Sequence, residues 1–521
     1  MNRRDFIKAS GLGATALALN GLPVSVFADT TNHLRKLRGN SDRIFVFVVL
    51  GGGNDGLNTV LNLDRYSELS AARSNVLIPA NQALTLAGNN VTALHPSMTG
   101  MRDMYNNGLL NITQGVGYAD FNYSHFRASD IYSSGSDANV YLDSGWVGRY
   151  LTQRYPGAPN AYPSADMLDP LAVQIGSSIN PMLTGPQGQI GFALSDVNNF
   201  YQIVNGAVDP APNSYAGKEL TYIRYISLQT QSYTQSVQTA ANAGTNTVTY
   251  PTTNRLAEQL GIVAKLISGG LKSPFYIVET GGYDTHSDQV DAANTTTGAH
   301  AELLGHLSEA IQLFYTDLKN QGKDKNVAGC TITEFGRRIK SNASTGTDHG
   351  AAAPLFSFGT DVVPGINGTS PVLPANATQD DQIPMQYDFR QVYSSILQDW
   401  FGLDVANTTS VLGNNYATLP IWKKHVDPAS IEDTAQPTSQ SISIYPNPVS
   451  SHAGIQFYTE GGTTQVNLYD DMGKLVRRIY ENELPKGDAN INFERDGLAS
   501  GTYFVEIYSG YLRQSAKLVI Q

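Results

Sequence analysis

Four short runs of consecutive apolar, mostly β-branched residues limit what most of this chain can become. Residues 44–50, 109–113, 275–278 and 328–332 lack the alternation of a half-wet strand, so each suits a strand buried on both faces. Between them the period turns helical, over 254–267 and over 301–319, where Leu303, Leu304, Leu307, Ile311, Phe314 and Leu318 share one face. Doubly buried strands separated by amphipathic helices predict an α/β body at residues 29–427 with a doubly wound, mainly parallel sheet. Residues 200–250, rich in Tyr, Gln, Thr and Asn, predict an inserted helix and loop that covers the site.

In such sheets ligands gather beyond the carboxyl ends of the strands, so the residues after each run carry the chemistry. The first run leads into Gly51-Gly52-Gly53-Asn54-Asp55-Gly56 and the third into Gly281-Gly282-Tyr283-Asp284-Thr285-His286. The fourth leads into Thr333-Glu334-Phe335-Gly336-Arg337-Arg338 and then Thr347-Asp348-His349-Gly350. Carboxylates and imidazoles meeting at one point need a compensating cation, and a divalent metal supplies it while activating a nucleophile. Asp55, Asp284, His286, Asp348 and His349 are therefore the predicted metal ligands. Carboxylate and imidazole without thiolate are compatible with zinc, manganese, magnesium, iron or calcium. The triple glycine lacks both the Gly-x-Gly-x-x-Gly spacing and a Walker lysine, which argues against a nucleotide loop. Singly, each motif has a plainer explanation: Asp55 as a helix cap, Asp284 in an Asx turn, His349 as a core histidine.

After 109–113, the stretch Tyr123-Ser124-His125-Phe126-Arg127 puts Ser124 at a predicted helix start, where N–H groups and the dipole favour an oxyanion or phosphate. Ser124 is the candidate nucleophile, and His125 and Arg127 complete the candidate catalytic set. Glu334, Arg337 and Arg338 stand behind it, the arginines able to hold an anionic ester substrate by forked hydrogen bonds. A simple N-cap equally explains Ser124, and ion pairing explains the arginines. His95, in Leu94-His95-Pro96, reads as structural.

The chain has 521 residues, a net charge of -11 and only 15% charged residues, with no basic run past its start, which argues against nucleic acid as a partner. Its one cysteine, Cys330, cannot form an internal disulfide and lies in an apolar stretch, as a buried structural thiol. Met1-Asn2-Arg3-Arg4-Asp5-Phe6-Ile7-Lys8 precedes a mild apolar run that Asn20 and Pro23 interrupt. That run is too short for a membrane span, and Val26 and Ala28 suit cleavage of a signal peptide at residues 1–28. Residues 428–441 read as a linker. Seven alternating runs follow, at 442–445, 455–458, 465–469, 475–480, 491–493, 502–508 and 516–520, and predict a β-sandwich over 442–521.

The Arg-Arg-x-Phe-Ile-Lys arrangement resembles a twin-arginine signal, which implies export of an already folded protein through the twin-arginine translocon. In the tail, Tyr445-Pro446-Asn447-Pro448, then Leu468-Tyr469-Asp470-Asp471-Met472-Gly473-Lys474, then Leu498-Ala499-Ser500-Gly501-Thr502-Tyr503 resemble the three signatures of the type IX secretion sorting domain of Bacteroidetes. The resemblance implies the type IX secretion machinery as a partner, with the periplasm crossed in transit and the cell surface or medium as destination.

The body resembles the bacterial family called domain of unknown function 1501. Its matching stretches are Gly-Gly-x-Asp-Gly-Leu-Asn at 52–58, Leu-His-Pro at 94–96, Ser-His-Phe-Arg at 124–127 and Gly-Trp-Val-Gly-Arg at 145–149. Gly-Gly-Tyr-Asp-Thr-His at 281–286, Thr-Glu-Phe-Gly-Arg-Arg at 333–338, Thr-Asp-His-Gly at 347–350 and Asp388-Phe389-Arg390 continue the series. The resemblance implies the alkaline phosphatase and sulfatase-like superfamily, whose members use an Asp near the first strand, a Ser or Thr nucleophile and later Asp-His pairs that bind two divalent metals. Asp55, Ser124, Asp284, His286, Asp348 and His349 fit those roles in order. Two departures stand out: the chain has no Cys-x-Pro-x-Arg stretch, and Ser-His-Phe differs from the usual phosphatase nucleophile context.

The expected function is a metal-dependent hydrolase of phosphate or sulfate esters, exported and then secreted or surface-attached through its tail. The alternative is a non-catalytic surface binding or structural protein on the same fold. A third reading assigns glycan attachment to the tail itself.

Overall fold

The computed structural model describes residues 42–164, 167–194, 233–424, 442–459, 461–470, 474–509 and 512–521. The expected signal peptide, the linker and most of the expected 200–250 insertion lie outside these residues. Two compact units result: Asn40–His425 and the C-terminal tail.

The body is a nine-stranded sheet. Its strands are β1 (Ile44–Leu50), β2 (Leu110–Gly117), β3 (Ala172–Ile175), β4 (Phe192–Leu194), β5 (Phe275–Thr280), β6 (Val327–Thr333), β7 (Ala353–Gly359), β8 (Gly365–Asn367) and β9 (Tyr387–Asp388). The order is β8-β2-β7-β6-β1-β5-β3-β4, with β9 also beside β2. β1 is central and pairs in parallel with β5 and β6. Its side chains alternate between two cores. Val46, Val48 and Leu50 face helices α1 (Thr99–Asn106), α4 (Arg255–Ser268) and α5 (Ala299–Asn320). Phe45 and Phe47 face α2 (His125–Ser134), α3 (Trp146–Arg154) and α6 (Phe389–Ser395). A strand that must satisfy both faces has no polar position to spare, which is why its sequence does not alternate. Asn254 caps α4 by accepting a hydrogen bond from the Ala257 N–H.

β7 is the departure from an all-parallel arrangement, antiparallel to both β6 and β2. After β6 the chain forms a short antiparallel ribbon, Arg337–Ser341 with Thr347–His349, beyond the sheet's carboxyl edge. Re-entering from that same edge, the next strand has to run backwards. Cys330 is fully buried in β6 and unpaired.

The tail has the seven strands its alternation predicts, in a three-stranded and a four-stranded sheet around Ile455, Phe457, Val466, Leu468, Val505 and Ile507. Its signature residues hold turns. Asn447 donates to the Lys517 carbonyl at 2.7 Å and accepts from the Val519 N–H at 2.8 Å, and the Tyr503 hydroxyl donates to the Ala499 carbonyl at 3.0 Å. Asn447→Ala is expected to lower the unfolding free energy of the tail by about 1–2 kcal/mol, read calorimetrically, because both bonds go at once.

Candidate functional site

The loops after β1, β5 and β6 meet because glycine lets them. Gly52 has φ +122, and a Cβ there would lie 2.3 Å from the Asp284 nitrogen. A Cβ on Gly346 would lie 2.3 Å from the His286 carbonyl oxygen. The triple glycine thus serves loop-on-loop packing. Gly52 also donates its N–H to Glu334 Oε1 at 2.7 Å.

Around Asp284 three imidazoles converge. Asp284 Oδ1 lies 3.0 Å from His349 Nε2 and 3.1 Å from His286 Nε2, and those two nitrogens are 2.9 Å apart. His125 Nε2 is 3.5 Å from Asp284 Oδ2, and ligand atoms of His125, Asp284 and His349 all lie within 4.8 Å of one another. The far nitrogen of each ring is pinned to an oxygen: His125 Nδ1 to Glu334 at 2.9 Å, His286 Nδ1 to Asp348 at 3.1 Å, His349 Nδ1 to the Tyr123 carbonyl at 2.9 Å. A carbonyl or carboxylate oxygen accepts, so Nδ1 carries the hydrogen and each neutral ring turns an Nε2 lone pair inward. Lone pairs from several rings then face a carboxylate. A divalent cation fits this donor set, and the outer oxygens are the partners that fix metal-binding histidines.

Asp284 is held low, to about 2: burial opposes this, but the Arg337 guanidinium, by its hydrogen bond and its charge, outweighs it. Burial lowers the His349 pKa, which favours its neutral ring. For Asp348, burial is outweighed by bonds from Asn342 and His286, and its pKa is lowered. Asp284 and Asp348 therefore stay ionised at neutral pH.

Of the other expected ligands, Asp55 stands apart from it. Asp55 is fully buried, ion-paired with Arg73, and accepts from Gln289 Nε2 at 2.6 Å. Burial pushes its pKa up, yet Arg73, His300 and Gln289 bring it below its usual value. Arg337, fully buried, donates to the carbonyls of Gly53 (2.7 Å), Gly52 (2.5 Å), Tyr283 (3.0 Å) and Thr347 (2.7 Å) and to Asp284 Oδ1 (2.6 Å). Arg127 pairs with Asp130 and bonds the carbonyls of Asp137, Ala138 and Val140. Arg338 bonds the carbonyls of His349 and Gln379. The arginines thus hold loops. Ser124 is exposed at the head of α2, and its side chain makes no capping bond.

Two features had no sequence signal. Gln289 and Asn342 tie the ligand loops from behind. A cleft of 420 Å³ also opens beside His125 and Glu334, walled by Ser129, Ser133, Ser178, Asn180 and Glu279, with Phe126 on it. Phe126 is 91% exposed, and no Lys or Arg is among the described residues lining the cleft. Burial, then the Glu334 charge, raises the Glu279 pKa.

Beneath the loops, His95 and His300 are buried and held neutral by burial, at about 3 and about 4. Both values lie below the unfolded histidine value of about 6.5, so the unfolded chain takes up protons first as pH drops. Their contribution to stability is full above about pH 6.5 and is lost as pH falls towards 4 and then 3. Urea midpoints measured across that range should decline, and less so in His95→Asn.

A mostly parallel α/β body with an imidazole–carboxylate cluster at its strand ends, joined to a small β tail, is the class of protein that results. Residues 228–412 match the family described as protein of unknown function, DUF1501, and residues 443–521 match the secretion system C-terminal sorting domain. The first match includes Asp284, His286, Glu334, Arg337, Arg338, Asp348 and His349. The second implies export to the cell surface or the medium. No curated protein matches the chain. Among solved structures, it is similar to the PsFucS1 sulfatase from Pseudoalteromonas sp., at 9% identity over 93% of this chain and 91% of that one, with a TM-score of 0.30. A protein of the alkaline phosphatase superfamily from Vibrio parahaemolyticus gives 10% identity, 83% and 85% coverage and 0.28. PorZ, a surface component of the type IX secretion system of Porphyromonas gingivalis, gives 18% identity over 19% of this chain, spans only 13% of that protein, and has a TM-score of 0.13.

Proposed function

We propose that this protein is an exported, metal-dependent hydrolase of phosphate or sulfate esters, carried out of the cell by its sorting domain after crossing the inner membrane through the twin-arginine translocon. The observation that carries the reading is the convergence of His125, His286 and His349, each pinned at Nδ1, on the Asp284 carboxylate. These residues, with Asp348 behind His286, would hold the metal. Several imidazoles favour zinc, manganese or iron over magnesium and calcium, which prefer all-oxygen shells. Such a metal supplies Lewis-acid stabilisation of charge on an ester oxygen.

The chain's own residues supply the rest. Ser124 has neighbours on both sides that touch the cluster, since the Tyr123 carbonyl holds His349 and His125 faces Asp284. Its hydroxyl attacks phosphorus or sulfur, the bond to the alcohol breaks, the alcohol leaves with a proton, and water later cleaves the serine ester. The uncapped amides at the start of α2 stabilise the developing negative charge. The cleft receives the leaving alcohol, and its wall of hydroxyls, amide and carboxylates disfavours an anionic one. Because Arg127 and Arg337 are committed to loop carbonyls, one observation also favours the second reading, a non-catalytic binding protein.

Turnover of a panel of phosphate mono- and diesters and sulfate esters separates the two. The proposal expects cleavage of at least one class, and loss of about a thousandfold or more in Ser124→Ala with metal still bound. Cleavage unchanged in Ser124→Ala would remove the serine from the chemistry. No cleavage by metal-loaded protein would favour the binding reading.

A further inference from the structure

We infer that Gln289 is a positioning residue that locks the two ligand-bearing loops in register, with Asp55 as its anchor rather than a ligand of the cluster. The inference rests on the metal reading for its consequence and on the hydrogen bonds alone for its geometry. Gln289 is fully buried and lies three residues past His286. Its Oε1 accepts from Thr285 Oγ1 at 3.0 Å and from Thr347 Oγ1 at 2.8 Å. Thr285 sits between Asp284 and His286, and Thr347 directly precedes Asp348 and His349. One amide oxygen therefore touches both loops at the residues next to their ligands.

At its other end Gln289 Nε2 donates to Asp55 Oδ2 at 2.6 Å, and Arg73 holds the same carboxylate oxygen. A carboxylate only accepts, so the amide has one orientation: nitrogen towards Asp55, oxygen towards the threonines. Asp55 and Thr347 are both fully buried, and Thr285 is 5% exposed. With water excluded, each bond lost leaves a buried polar group without a partner. Backbone contacts already join the loops, since Thr347 N donates to Thr285 O at 3.1 Å and Gln289 N to Thr345 O at 3.0 Å. The side-chain clamp acts on top of them, at the positions that aim Asp284, His286 and His349. Pinning residues behind a metal ligand typically governs about 10- to 100-fold in affinity.

The chemistry suggests its own test. Gln289→Glu sets a carboxylate against Asp55, whereas Gln289→Met keeps much of the volume and removes both the donor and the acceptor of the clamp. The full-length mature chain is used, with zinc ion as the metal probe and amide hydrogen exchange of residues 282–288 and 345–350 in metal-free protein as the second readout. Each substitution should speed exchange in both segments and weaken zinc binding by about 10- to 100-fold. Thr347→Val, an isosteric loss of one clamp bond, should speed exchange in both segments if a single variant fails to fold. The clamp is overturned if Thr347→Val leaves the Asp284–His286 segment unchanged, or if folded Gln289→Met exchanges both segments at the parent's rate. Parent protein that binds no zinc but follows the exchange pattern would overturn the metal reading and leave the clamp standing.

Discussion

Replacing Arg337 by methionine is expected to destabilise the body by about 3–5 kcal/mol, the range for removing one partner from a buried ionic network. The guanidinium is fully buried and is the shared donor to the loops after β1 and β5 and to the ribbon after β6. Methionine restores much of the volume but none of the donors, so the carbonyls of Gly52, Gly53, Tyr283 and Thr347 lose a common partner in a site that water cannot enter freely. Asp284 loses its strongest neighbour as well. Lysine cannot rescue, because a single ammonium does not span five acceptors in a planar fork. Chemical unfolding of the mature protein measures the loss, and a change below about 1 kcal/mol would mean that the loops hold themselves.

Asp284→Asn is the second large effect. It preserves shape but removes the charge on which His125, His286, His349 and Arg337 converge. Metal affinity should fall by more than about 100-fold, beyond what a supporting residue costs. The pH dependence follows from the same group. Its carboxyl is held at about 2, below the unfolded value, so its contribution is complete above about pH 4 and is lost as pH falls towards 2. Nearly half of this side chain is exposed, and solvent screening keeps that contribution to stability small. Isothermal titration with zinc ion, parent against Asp284→Asn, reads the main effect; equal affinities would remove Asp284 from the ligand set.

Burial patterns made the fold legible. Uninterrupted apolar runs at β1, β5 and β6 and the helical period at α4 and α5 fall where the structure has those elements. β3, β4 and the reversed β7 were not legible, since β3 and β4 are short and strand direction is fixed by where the ribbon returns the chain. The strand-end rule also pointed to loops that the structure packs together, and their glycines recur for a steric reason: Gly52 and Gly346 let backbones approach too closely for any Cβ. Roles within the loops were harder to read. Nothing local distinguishes Asp284, half open to solvent among imidazoles, from Asp55, sealed against Arg73 and Gln289. His125 reaches the cluster only through tertiary placement, and Gln289 belongs to no motif.

The metal content of the purified mature protein tests the central claim most directly. After exhaustive dialysis, elemental analysis should find stoichiometric zinc, manganese or iron, lost on chelation and regained on adding the ion, and absent from His349→Ala. Folded protein that holds no divalent metal, and takes up none when zinc, manganese or iron is titrated in, would contradict it.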